Sequence, residues 1–113
     1  LVTNKYNKFL AKALEIGANS KKILYFQYGG DLSLSAGLAN ELSFKFPDKL
    51  IVIAYLKDVK ANISVRGARA RELTLKAIEG LEDATGGGHE NATGARVLIE
   101  DLPKFKENLM RLI

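Results

Sequence analysis

Two short stretches carry residues whose types and spacing could do chemistry. The first is ATGGGHENATGARV, residues 84–97, which sets Gly86, Gly87 and Gly88 directly before His89, the chain's only histidine. A glycine run loses much conformational entropy on folding, so it signals a need for positive φ or for close approach to the backbone. The polar stretch that follows, His89-Glu90-Asn91-Ala92, has room for one or two helical turns. A glycine loop opening onto a helix start offers several backbone N–H donors to a phosphate or carboxylate. His89 can donate to a phosphate oxygen from there. Gly94-Ala95 would turn the chain into a last strand. The competing reading is a flexible loop with a surface histidine. The stretch is neither a phosphate loop ending in GK[ST] nor a dinucleotide fingerprint.

The second stretch is ISVRGARAR, residues 63–71. Arg66 falls at a strand end, just before Gly67, where a side chain can reach over the sheet edge. Arg69 and Arg71 follow in the next helix; two apart, they do not share a helical face. Arginine suits phosphate because its planar fork contacts two oxygens at once. A solvated basic turn is the alternative. Arg66 with the 86–89 loop forms the candidate phosphate site.

Composition removes other chemistries. The chain has 113 residues, 47% apolar and 27% charged, with net charge +4, which fits one globular domain and favours an anionic partner. There is no cysteine, so there is no disulfide, thiolate metal site or cysteine nucleophile. With one histidine, a structural zinc site is nearly excluded. The 13 carboxylates form no Asp-x-Asp pair or His-Asp cluster that would hold metals. Ser20, Ser33, Ser35, Ser43 and Ser64 lack a nucleophile-elbow context. No apolar run approaches the roughly 18 residues of a membrane span, and Leu1–Lys12 lacks the apolar region of a signal peptide. A cytoplasmic domain with no membrane partner is expected. The leading leucine suggests a segment of a longer protein, with residues 1–20 as a leading helix and linker to a single domain over 1–113.

The elements that must position these residues follow from periodicity. Tyr6, Phe9, Leu10, Ala13 and Leu14 form one apolar stripe, which predicts a helix over 4–17. KILYFQY (22–28) reads as a buried strand ending at Gly29-Gly30. Asp31 or Ser33 can cap a helix over 33–45 carrying Leu34, Leu38 and Leu42, ended by Pro47. KLIVIAYLK (49–57) is the strongest strand, and KANISVR (60–66) alternates behind a turn at Lys57-Asp58, so the two predict a hairpin. A helix over 68–80 sets Ala70, Leu73, Ala77, Ile78 and Leu81 to one side. RVLIE (96–100) is a last strand. Asp101 can cap a final helix with Pro103 in its first turn and Leu102, Phe105, Leu109 and Leu112 inward. Stacking of bases needs exposed aromatics, and Tyr25, Phe26, Tyr28 and Tyr55 fall in strands as core. The expected fold is α/β, a mixed sheet of four to five strands with helices on its faces.

GGGHENATGARV resembles the signature of the DHH-associated domain of DHH phosphoesterases: a glycine run, histidine, two variable residues, then Ala-Ala-Gly. ISVRG is similar to that family's Ser-x-Arg strand, and LSLSAGLANEL with FPDKLIVIAYLK resembles its archaeal, RecJ-like branch; the resemblance covers Asp31–Ile113. Thr85 stands where a fourth glycine often does, Thr93 replaces the second alanine, and Gly67 stands where many members have serine. The resemblance implies a domain that binds nucleic acid or a nucleotide, with single-stranded DNA or RNA ends or short oligonucleotides as the expected ligands. It also implies an absent DHH catalytic domain holding manganese, with no cofactor in this domain. By position it implies phosphate contacts from Arg66 and His89, backbone approach at Gly86, Gly87 and Gly88, a turn at Gly94 and a minor contact from Ser64. Arg69 and Arg71 would only strengthen the attracting field. Two alternatives stay open. One is an RNA-facing accessory domain like the C-terminal part of alanyl-tRNA synthetases; the other is a structural or dimerising domain with no ligand.

Overall fold

The computed structural model describes residues 2–113. In chain order it forms α1 (Val2–Ala18), β1 (Ile23–Gly29), α2 (Ser35–Lys45), β2 (Leu50–Lys57), β3 (Lys60–Arg66), α3 (Ala70–Ala77), β4 (Thr85–His89), β5 (Ala92–Leu98) and α4 (Leu102–Leu112), with a short 3-10 turn over Ile99–Asp101. The five strands make one sheet in the order β1-β2-β3-β5-β4. β1 and β2 are parallel and every other pairing is antiparallel, so the sheet is mixed, with five strands.

The near-continuous apolar run of β2 reflects burial on both faces; β1, at the sheet edge, is fully buried on one face only, with Ile23 and Tyr25 half-buried and Gln27 exposed on the other, so it is not the fully buried strand its apolar run predicts. Leu24, Phe26 and Tyr28 of β1 and Ile51, Ile53 and Tyr55 of β2 turn to one face, where Ala13 of α1 and Leu38 and Leu42 of α2 cover them. Val52, Ala54, Ala61, Ile63, Val65 and Val97 turn to the other face. There Leu73 and Ala77 of α3 and Leu102, Phe105 and Leu109 of α4 pack on them. Phe26, Tyr28 and Tyr55 are core residues, whereas Tyr25 is half-buried beneath the Lys106 ammonium, 4.4 Å from its ring centroid.

Neither Asp31 nor Ser33 caps α2. The Leu34 N–H donates instead to the Tyr28 hydroxyl at 2.6 Å, and that hydroxyl shares a 2.9 Å hydrogen bond with Ser35 Oγ. The helix starts over the end of β1, so a core tyrosine reaches its unpaired N–H before a loop side chain can. Asp101 likewise makes no side-chain cap for α4. The third helix is shorter than its apolar spacing suggests, and Arg69 precedes it in a left-handed conformation, φ +61°. Ile78 and Leu81, beyond its end, still pack against the core.

Tyr28→Phe removes the hydroxyl that serves the α2 start and leaves its buried partner unmatched. Urea denaturation should show a loss of about 1–2 kcal/mol. A second expectation concerns α1. The Tyr6 hydroxyl donates to Glu41 Oε1 at 2.7 Å. Burial, and then the bond and charge of Glu41, push the Tyr6 pKa from 10.0 up to about 12. The folded state therefore keeps a proton that the unfolded chain loses first. This contribution is complete below pH 10 and disappears as pH rises towards about 12. The Tyr6→Phe variant should lose less stability than the parent between about pH 10 and about pH 12 in parallel urea titrations.

Candidate functional site

The register of β3, β5 and β4 decides which side chains meet. Arg66 of β3 is paired with Ala92 of β5, and Ala92 with His89 of β4. Directly paired residues project to the same face, so Arg66 and His89 flank Ala92 on one side of the sheet. Their backbones lie two strand spacings apart, about 10 Å. The next row on that face is Ser64, Gly94 and Gly87, and the third is Asn62, Arg96 and Thr85. This is the face that α1 and α2 cover at the other end of the sheet. Those helices pack mainly against β1, β2 and the near side of β3, and leave β5 and β4 open. The result is a shelf with a floor of small residues and with arginine and histidine at one end.

The glycine run is therefore not a loop opening onto a helix. It is an extended edge strand, and Glu90-Asn91 form the tip of a second hairpin. Gly94 is likewise inside β5 rather than in a turn, and β5 begins at Ala92 rather than near residue 96. The ladder to β5 overrides the local preference of the sequence. The hairpin tip is pinned to the strand end carrying Arg66: the Gly67 N–H donates to Asn91 O and the Arg71 N–H to Glu90 O, both at 3.0 Å. Gly67 is needed for that turn, with φ +134° and a hypothetical Cβ only 3.1 Å from Lys49 O.

The Arg66 guanidinium is fixed from three sides. Its Nε donates to Asn40 Oδ1 of α2 at 2.9 Å, and Nη1 donates to Val65 O at 3.1 Å and Thr93 O at 3.3 Å. Nη2 has no partner among the described residues, so two donors stay available on a rigid fork. Burial lowers the Arg66 pKa, which leaves it charged. His89 is exposed, and its carbonyl accepts from the buried Thr93 hydroxyl at 2.7 Å. Thr93 thus has its hydroxyl satisfied where the motif usually has alanine. Ser64 lies half-buried in the glycine row.

Arg69 is not brought to this shelf. It is exposed and forks onto Glu72, with Nε–Oε1 at 3.1 Å and Nη2–Oε2 at 2.8 Å. Arg71 contributes through its N–H at the hairpin tip; its exposed guanidinium has no hydrogen-bond partner among the described residues. Asn40 and Arg96 belong to the shelf but do not stand out in the sequence, because only cross-strand register and helix placement bring them there. Phe44, one helical turn beyond Asn40, is 87% exposed at the C-terminal end of α2.

Comparison with known proteins agrees with this architecture. Residues 19–113 match the DHHA1 domain family. The chain belongs to that family. No curated protein matches by sequence. Among solved structures, this DHHA1 domain is similar to the C-Ala domain of Aquifex aeolicus alanyl-tRNA synthetase, with TM-score 0.59 and 19% identity over 80% of this chain and 85% of that one. It is also similar to Thermus thermophilus RecJ, solved in complex with Mg2+, with TM-score 0.68 and 16% identity over 96% of this chain. The chain spans 18% of the RecJ chain. Among the described residues of the DHHA1 domain, no group of three or more His, Cys, Asp or Glu could hold a metal ion, and no helix is long and apolar enough to cross a membrane.

The glycines divide by face. A Cβ on Gly88, where φ is +145°, would lie 2.8 Å from Ala92 O, so this glycine is a requirement of the fold. A Cβ on Gly87 would meet nothing within 4 Å. Gly88→Ala should therefore destabilise by about 2–3 kcal/mol. Gly87→Ala should leave stability unchanged or raise it by up to about 1 kcal/mol. Urea titration of the two variants side by side reads the contrast.

Proposed function

We propose that the open shelf of this DHHA1 domain grips the phosphate of a single-stranded nucleic-acid end or a nucleotide. The domain would hold it for hydrolysis by a separate DHH catalytic domain of a cytoplasmic, RecJ-like protein of the archaeal branch. The observation that carries this reading is the row Arg66–Ala92–His89, which sets two phosphate donors either side of a small residue at one end of a glycine floor. Arg66 offers a fork preset by Asn40 and two carbonyls, which lowers the entropy lost on binding an anion. His89 donates from the opposite strand. Gly87 and Gly94 let a phosphate or sugar reach the backbone. Manganese in the catalytic domain would supply the activated water; the residues of this chain bind and orient. The resemblance to DHH phosphoesterases at 63–67 and 86–97 supports the assignment of that partner.

A second reading, an RNA-facing accessory role, draws support from the 85% of the alanyl-tRNA synthetase C-Ala domain that this chain spans. The two differ in preferred ligand: a short single strand for the first, a folded RNA for the second.

Fluorescence anisotropy with a labelled single-stranded oligonucleotide tests the first reading. Arg66→Ala and His89→Ala should each weaken binding by about tenfold, and Arg66→Ala should flatten the slope of log affinity against log salt by about one. Unchanged affinity in both variants, with native circular dichroism, would overturn it. Tighter binding of a folded RNA than of the single strand would favour the second reading.

A further inference from the structure

The shelf does not end at the glycine floor. Beyond it, on the same face, lie Asn62 of β3 paired with Arg96 of β5, and then Lys60 of β3 paired with Lys57 of β2. The Arg96 Nε donates to Asn62 Oδ1 at 3.0 Å, which lays the guanidinium over the third row and leaves its terminal nitrogens without partners among the described residues. Lys57 and Lys60 face one another across the β2–β3 hairpin. Like charges directly opposite destabilise a strand pair, and neither lysine has an ion-pair partner among the described residues. On α3 and α4, Lys76, Lys104 and Arg111, with Arg69 before α3, lie beside Glu72 or Glu107, whereas Arg71 and Lys106 have no ion-pair partner among the described residues.

From Arg66 to Lys60 is six residues of strand, about 20 Å. That is longer than one nucleotide, and every second residue of β3 along it faces the shelf. We infer that Arg96, Lys60 and Lys57 form a second phosphate subsite, which the backbone of a single-stranded oligonucleotide would reach. Its terminal phosphate would sit at Arg66 and His89, and its backbone would run along β3 and β5 to the hairpin. The glycine floor lies under the nucleotides between the two phosphate grips, and Asn62 holds Arg96 in place. This rests on the functional reading above and extends it from a phosphate grip to a polymer track. Lys5, Lys8 and Lys12 of α1, which line a cleft with Gly29 and Gly30 and belong to none of the strands of the track, serve as a charge-matched control.

The test is anisotropy with a labelled thymidine dinucleotide and octanucleotide, each with a 5′-phosphate, at fixed salt. The parent chain should bind the octanucleotide at least about tenfold more tightly than the dinucleotide. The triple variant Lys57→Ala/Lys60→Ala/Arg96→Ala should abolish that preference, bringing octanucleotide affinity down to about that of the dinucleotide. The control triple Lys5→Ala/Lys8→Ala/Lys12→Ala should keep the preference. Lys57→Gln/Lys60→Gln, which only relieves a like-charge pair, should melt no lower than the parent and still weaken octanucleotide binding. Equal losses from the two triples, or equal affinity of the parent for both ligands, would overturn the track. Failure of the grip itself reads differently: Arg66→Ala would then change neither ligand, whatever the triples do.

Discussion

Two main-chain hydrogen bonds hold the shelf in register: the Gly67 N–H to Asn91 O and the Arg71 N–H to Glu90 O. They fasten the tip of the β4–β5 hairpin to the turn that leaves β3. A strand of Thr-Gly-Gly-Gly-His has little intrinsic preference for extended structure, since each glycine in a strand costs roughly 0.5–1 kcal/mol relative to alanine. β4 is also an edge, paired on one side only. Its position therefore depends on the ladder to β5 and on the anchored tip. Because both bonds use backbone groups, they fix the register of the hairpin whatever side chains Glu90 and Asn91 carry. That register sets His89 opposite Ala92 and Ala92 opposite Arg66, and a slip of one residue would send every shelf side chain to the other face.

The sheet is built unevenly, and the unevenness creates the site. β2 is covered on both faces, which demands apolar residues throughout, whereas its parallel neighbour β1 is fully buried on one face only. β3 alternates: Ala61, Ile63 and Val65 go to the α3–α4 core, while Lys60, Asn62, Ser64 and Arg66 go to the open side. β5 and β4 continue that open side with alanine, glycine, arginine, threonine and histidine. Two helices that cover only part of a five-stranded sheet leave a step at β3, and Asn40 of α2 reaches across the step to Arg66. The helix that walls the shelf thus also aims its principal cation.

Most of the architecture is legible in the sequence because the signals are local. KILYFQY and KLIVIAYLK have the length and composition of buried strands, and the stripes of the first and last helices give their inner faces. The β2–β3 hairpin follows from alternation across a short turn. The second hairpin does not, because three glycines state only that the backbone is permissive; the partner that makes them extended is β5, and no local preference encodes it. The helix caps mislead for the same reason. Asp31 and Ser33 are near in sequence, but Tyr28 is near in space. Type and spacing single out Arg66 and His89, and the structure sets them in one row. The same criteria single out Arg69, yet Glu72, three residues on, occupies it. Arg96 escapes them, because nothing in ATGARV says which face it takes; only the pairing of Asn62 with Arg96 gives it a place in the shelf.

The glycines sharpen the distinction between what the fold needs and what a ligand needs. Gly88 has no alternative, since its φ and the nearby Ala92 carbonyl forbid a side chain. Gly87 and Gly94 are paired with each other on the open face; at Gly87 a Cβ would enter empty space, and at Gly94 it would make an ordinary 3.5 Å contact with Ile63 O. Stability alone would favour alanine at both, because the unfolded chain would have less freedom to lose. Under the proposed function they serve a ligand that lies against them closely enough that a methyl group would lift it. In the proposed reading, a phosphate held between Arg66 and His89, with the sugar that follows it, would lie where those two glycines leave the backbone bare.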